Sequence, residues 1–353
     1  MTDLFPFTLP GSTSLYLLLF VVTLVIHFIF MSYVLAGSVW VMFGLFAPRG
    51  AMSEITAVLK DWMPVMLSGA ITAGVAPLLF IQILYRQQFY TANLLQFHRW
   101  MAILPILIVL FYLAYLIKAH GDRQTWIQRI AAVACVGCVL FIAWSWSGNH
   151  LLSLQEPATW VAHYANEVAP GPGVAVSLRL SLWIALTFPV LSCLLTWQLR
   201  NRRAVDADHP PGVARTSAIA ICGTVAAVVL AVFLVSRMPD NIRADLIAGP
   251  VRVWVTAAAL GTIVHFAGWV ARFRSRGDTL ATRAAVTLGI VLQLMGVMMC
   301  REQVRVSILG ERIDFISHAE AAESGGFGLF LMFCAVNGFL AVWCIRLVRR
   351  ANG

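Results

Sequence analysis

Residues 13–44 read TSLYLLLFVVTLVIHFIFMSYVLAGSVWVMFG, a run with no Asp, Glu, Lys or Arg. A bilayer core about 30 Å thick needs about 20 apolar residues in a helix, so this run is long enough to cross it with tilt or overhang. Alternation of polar and apolar residues is missing, which excludes a barrel strand. Similar runs recur down the chain. We read nine spans, at about 13–44, 65–85, 99–118, 126–150, 174–199, 215–236, 251–271, 281–300 and 325–346. The expected fold is therefore all-α: one polytopic transmembrane bundle occupying residues 1–353 as a single membrane domain.

Composition agrees. Charged residues make up 12% of the 353 and apolar ones 60%, and mean hydropathy is +0.82. A soluble chain carries about twice that charge. No polar stretch is long enough for a separate soluble domain. The net charge of +9 does not indicate nucleic acid, because the cations sit in short loops between apolar runs and there set membrane orientation. With the N-terminus outside and the C-terminus cytoplasmic, sixteen of the 25 Lys and Arg residues fall on the inner side. The first 14 residues lack Lys and Arg, so no removable signal peptide is expected. These features point to a multi-pass protein of the bacterial cytoplasmic membrane.

Loop chemistry fixes several boundaries. Pro170-Gly171-Pro172-Gly173 stops any helix before the fifth span, and Asp208-His209-Pro210-Pro211-Gly212 does so before the sixth. Of the seven cysteines nearly all lie inside apolar runs, so a disulfide framework is not expected. Cys135 and Cys138 form a C-x-x-C pair within a span and without a following His, which excludes covalent haem attachment there.

Polar residues inside hydrocarbon are costly and so point to function. Histidines are the informative ones. His27 lies within the first span, His98 opens the third and His150 closes the fourth. All three are expected in the outer half of the bundle. Neutral imidazole is a common axial ligand of haem iron, and helical bundles build cofactor sites from facing helices. Trp144, Trp146, Phe28, Phe97 and Trp100 could wall such a site. The plain alternative is a set of interfacial or hydrogen-bonded histidines. His265, in the seventh span, could ligate a second haem towards the inner half. His120, His163, His209 and His318 read as loop residues. A further group follows the eighth span: Arg301, Glu302 and Arg305, then Asp314 and His318. It could hold a haem propionate or a quinone headgroup, since Arg suits bidentate carboxylate recognition. It could equally be an interfacial ion-pair cluster.

These residues resemble a family, the large haem-bearing subunit of cytochrome bd-type quinol oxidases. His27-Phe28-Ile29-Phe30 resembles its first-helix histidine followed by Phe-Leu-Phe. The stretch Gly69-Ala70-Ile71-Thr72-Ala73-Gly74-Val75-Ala76-Pro77-Leu78-Leu79-Phe80-Ile81-Gln82 resembles its Gly-rich second helix. His98 falls near an acidic position of its third helix, Gly148-Asn149-His150 near an Asn-Gly, and Arg301–Gln303 near its Gly-Arg-Gln-Pro turn. Nine helices and an external N-terminus also fit. The family's fifth-helix histidine and seventh-helix methionine are replaced by Leu178 and Trp254. Its acidic ligand is replaced by Met298 or Met299, and its long external loop shrinks to about 237–250. The resemblance therefore does not carry over the family's low-spin haem or its terminal oxidase activity. It implies a diverged relative with one or two haems b of its own arrangement. Such a protein would sit in lipid within a hetero-oligomeric complex and pass electrons between quinol and a c-type cytochrome or another redox subunit. A haem-free scaffold subunit of a respiratory complex is the alternative. A transporter is the third reading, and neither inverted repeats nor matched helix interruptions support it.

The orientation has a direct check. Alkaline phosphatase fused after residue 165 is expected to be active, because that loop is external. Fusion after residue 208 is expected to be inactive, and the opposite pattern would invert the topology.

Overall fold

The structure, a computed structural model, describes residues 11–47, 54–121, 125–165, 173–201, 212–249, 251–275 and 277–313, with isolated positions between 328 and 347. The described residues form helices and no strand. In chain order the helices are α1 (Gly11–Phe46), α2 (Glu54–Leu84), α3 (Arg86–Leu95), α4 (Phe97–Ala119), α5 (Trp126–Ser153), α6 (Pro157–Tyr164), α7 (Val174–Asn201), α8 (Val213–Ser236), α9 (Asp240–Ala248), α10 (Arg252–Ser275) and α11 (Leu280–Leu309). A 3-10 turn, Gly310–Arg312, closes α11. Eight of these helices are long and apolar enough to cross a membrane: α1, α2, α4, α5, α7, α8, α10 and α11.

The first eight expected spans each coincide with one long helix. The expected ninth, 325–346, lies mostly outside the described residues. Two helices extend well past the apolar run that marks them. α2 begins at Glu54 rather than near 65, because Ile55, Val58, Leu59 and Met63 bury themselves in one cluster with Val41 and Leu45 of α1. α11 continues past Cys300 to Leu309, because Glu302, Gln303 and Arg305 are buried inside the protein instead of facing lipid.

The helix α1 is the central post, in contact with α2, α5, α7 and α11. Three short helices were not separately expected. They are α3, α6 and α9, following the second, fourth and sixth crossings. All three therefore lie at one end of the bundle, where α11 also finishes. Side chains knit this capped end together. Gln88 of α3 donates to the Arg312 carbonyl (3.2 Å), and Arg312 donates to the Gln155 carbonyl (3.0 Å). Ser307 of α11 donates to Asp245 of α9 (3.3 Å). At the opposite end, the Arg272 guanidinium pairs with Asp278, Arg283 lies 3.3 Å from the same carboxylate, and Arg129 donates to the Leu45 carbonyl (3.0 Å).

The pair α10 and α11 shows what holds helices together where lipid removes the hydrophobic drive. A Cβ on Gly289 would lie 2.7 Å from the backbone nitrogen of His265, and one on Gly296 would lie 2.6 Å from the Trp254 carbonyl oxygen. The two backbones thus touch. Across the contact His265 Nε2 meets Gln293 Oε1 at 3.0 Å, and Gln293 Nε2 donates to Thr262 Oγ1 at 2.7 Å. Gly289→Val is therefore expected to destabilise the protein by ~1–3 kcal/mol through overpacking. Gly137→Ala, at a glycine with open space around it, is expected to leave stability nearly unchanged. Thermal unfolding in detergent distinguishes the two, and equal midpoints would contradict the close contact.

Candidate functional site

The sequence of α2 builds a seat for two rings of α1. Gly69 lies under the Phe30 ring, where a Cβ would come 2.6 Å from Phe30 Cδ1. Gly74 lies under the His27 imidazole, where a Cβ would come 2.9 Å from His27 Cε1. A side chain at position 74 would shield the carbonyl of Ala70 one turn earlier. With glycine there, His27 Nδ1 reaches that carbonyl at 2.9 Å. A carbonyl can only accept, so Nδ1 carries the proton and Nε2 carries the lone pair. Among the described residues Nε2 has no hydrogen-bond partner. A ring held in this way through Nδ1–H to a backbone carbonyl has the tautomer and orientation that metal-ligating histidines use. His27 stands 16 residues, about 24 Å, from the start of α1. That places it near the middle of the helix rather than towards one end.

A second polar group occupies the capped end. The Glu302 carboxylate is 1% exposed and accepts three hydrogen bonds. Arg301 Nη1 donates to Oε1 (2.8 Å), while Arg305 Nη1 and the Tyr85 hydroxyl each donate to Oε2 (3.1 Å). The Arg305 guanidinium lies over the Tyr85 ring, 4.5 Å from its centroid, and 5.8 Å from that of Phe20 of α1. Arg305 Nη2 also meets His150 Nδ1 at 2.8 Å, with Arg301 Nη2 at 3.5 Å. Arginine only donates. His150 Nδ1 must then carry the lone pair, and Nε2 the proton. Burial, and then the neighbouring carboxylate, push the Tyr85 phenol up, so it keeps its proton.

The run Gly148-Asn149-His150 acts as a junction. Gly148 leaves room for the Gln96 side chain, Asn149 Nδ2 donates to Asn93 of α3 (2.5 Å), and His150 receives Arg305 of α11. Three successive residues of α5 thus tie α3, the α3–α4 junction and α11 together.

The structure gives the expected histidines different neighbours. His27 meets α2, and His150 meets the arginines of α11. His98 is exposed and packs edge-on against Phe97, with ring centroids 5.6 Å apart. Among the described residues His27, His98 and His150 have separate partners, Ala70, Phe97 and Arg305 respectively. The lone pair of His150 that faces the protein is already engaged by Arg305. His265 is fully buried, donates to Gln293 and leaves Nδ1 without a partner. His120 Nδ1 bonds the Leu116 carbonyl of its own helix (2.9 Å). His209, Asp314 and His318 lie outside the described residues. Of the expected walls, Trp100 and Trp146 stack edge-on (4.8 Å) with Phe89 beside them, and Phe28 meets Trp183 (5.5 Å).

Arg301, Glu302 and Arg305 do assemble as the sequence suggested. Two further residues were not foreseen. Tyr85, just after α2, joins through its hydroxyl, and Arg179 stands near the start of α7, which packs against both α5 and α11. No spacing in the sequence brings Tyr85 to residue 302 or Arg179 to the same end of the bundle.

Compared with family models, with curated proteins and with solved structures, the chain finds no match.

Removing the carboxylate tests the cluster. Glu302→Gln leaves the guanidiniums of buried Arg305 and part-buried Arg301 without their counter-charge and is expected to cost ~3–5 kcal/mol. Tyr85→Phe removes one of three donors and is expected to cost ~1–3 kcal/mol. Unfolding midpoints in detergent measure both, and a Glu302→Gln variant as stable as the parent would contradict the assignment.

Proposed function

We propose that this chain is a nine-span subunit of the bacterial cytoplasmic membrane, with its N-terminus outside, that holds haem b through His27. In this reading it passes electrons between quinol and a c-type cytochrome or another redox subunit of the same complex. The observation that carries the reading is the His27 ring. Its Nδ1–H is committed to the Ala70 carbonyl, and its Nε2 lone pair is left unpartnered well inside the longest span. A neutral imidazole is a good axial ligand only in that state. Gly74 adds support, because it shapes the seat that sets the ring's angle. When bound, the haem supplies one-electron redox chemistry.

The chain's own residues bind and orient. Ala70 and Gly74 fix the ligand ring. Residues Arg301, Glu302 and Arg305 offer almost only donors, because the carboxylate already accepts three hydrogen bonds. They suit a carboxylate, a phosphate or a quinone carbonyl better than a quinol hydroxyl, which needs a base. The reading settles on one haem rather than two. His98 faces outward, His150 is engaged by Arg305, and His265 is enclosed where α10 and α11 touch. These last placements also favour a second reading, a haem-free scaffold subunit in which His150 serves only as a hydrogen-bond acceptor.

The purified protein is expected to show a Soret band that shifts on dithionite reduction. His27→Gly is expected to lose it and added imidazole to restore it in part. A folded protein with no Soret band, or a band unchanged in His27→Gly, would favour the scaffold.

A further inference from the structure

The capped-end cluster carries more positive charge than its carboxylate balances. Arg301 and Arg305 bring two guanidiniums to the one Glu302 carboxylate, and a third cation, Arg179, stands near the start of α7, which packs against α5 and α11. His150 is neutral, since its Nδ1 accepts from Arg305. Arg179 pairs with no carboxylate among the described residues, and is half-buried. Arg305 is 1% exposed, and its Nε–H is buried without a hydrogen-bond partner. Unsatisfied buried donors beside excess cation are costly unless an anion completes them.

Depth identifies the anion's setting. The 30 residues of α11 span about 45 Å, whereas the hydrocarbon core is about 30 Å thick. About five residues at each end therefore lie in the headgroup layer, so Arg305 falls at that boundary and Arg301 one turn inside it. His150 near the end of α5, Arg179 near the start of α7 and Tyr85 just after α2 share the level. Inward from Arg179 by one turn, half-buried Trp183 meets Phe28 of α1 edge-on. Phe28 itself is buried, so Trp183 is the apolar surface one turn into the membrane from the cationic end.

We propose that Arg179 and Arg301, with buried Arg305 behind them, form a seat for the phosphate oxyanion of a membrane phospholipid, with an acyl chain lying along Trp183. Arg301, 20% exposed at its side chain, and half-buried Arg179 form the open side. Glu302 holds Arg301 and Arg305 in place, and Tyr85 fixes the carboxylate. The seat goes beyond the haem reading and stands without it.

The experiment uses the full-length protein, stripped of lipid in detergent and then titrated with phosphatidylglycerol or with inorganic phosphate, with native mass spectrometry as the readout. The parent is expected to retain one phosphatidylglycerol per chain. Arg179→Gln, at a half-buried position that leaves the Glu302 network intact, is expected to weaken retention about tenfold. The exposed Arg243→Gln on α9 is expected to match the parent. Equal retention by the parent and Arg179→Gln would overturn the proposal. So would inorganic phosphate binding with lipid adding nothing, which would make the seat one for a free anion. A Soret band lost in Arg179→Gln, with lipid retention unchanged, would also overturn it, because the seat would then belong to a porphyrin carboxylate. A missing Soret band in the parent would sink the haem reading and leave the lipid result standing.

Discussion

Hydrocarbon offers no hydrogen bonds, so every polar group carried into it must find its partner within the protein. This constraint accounts for the helical backbone of all eight long apolar helices. It also accounts for the side chains. Ser, Thr and Gln residues inside the helices bond back to their own turn or across to a neighbour, as Ser32 does to the Phe28 carbonyl and Gln293 to Thr262. Against that background, the groups left unpaired stand out. Three of them, His27 Nε2, Arg305 Nε and the Arg179 guanidinium, carry the two ligand proposals, while others such as His265 Nδ1, Arg272 Nε and Ser217 Oγ are enclosed within the bundle.

Glycine is the means by which polar groups reach their partners. At Gly74 the missing side chain exposes a helix carbonyl to an imidazole from α1. At Gly289 and Gly296 it lets two backbones meet, so that His265 and Gln293 bond across the contact. At Gly148 it admits Gln96 beside the Asn149 and His150 contacts. In each case close approach comes first and polar pairing follows. This order suits a bundle that gains little from burying apolar surface away from lipid.

The sequence made most of the bundle legible, since long uncharged runs such as 13–44 have one stable form in lipid. It did not separate α3, α6 and α9. These helices are short, mixed in polarity and held by contacts such as Gln88 with Arg312 and Ser307 with Asp245, which no local pattern displays. The early start of α2 was hidden because Lys60 and Asp61 interrupt the apolar run, although the face that carries Ile55, Val58 and Leu59 is buried. For the site, Arg301, Glu302 and Arg305 were legible because i, i+1 and i+4 spacing on one helix keeps them together. Tyr85 and Arg179 were not, because α2 and α7 deliver them. The histidines of separate helices looked alike by depth, yet their rings turn towards different neighbours, and depth alone does not fix direction.

The central claim is that His27 Nε2 faces a ligand rather than lipid. A density map of the protein purified from its native membrane into nanodiscs tests it most directly. The account predicts planar, iron-centred density on His27 Nε2 beside Gly74. An acyl chain resting against that nitrogen, with no such density, would contradict it.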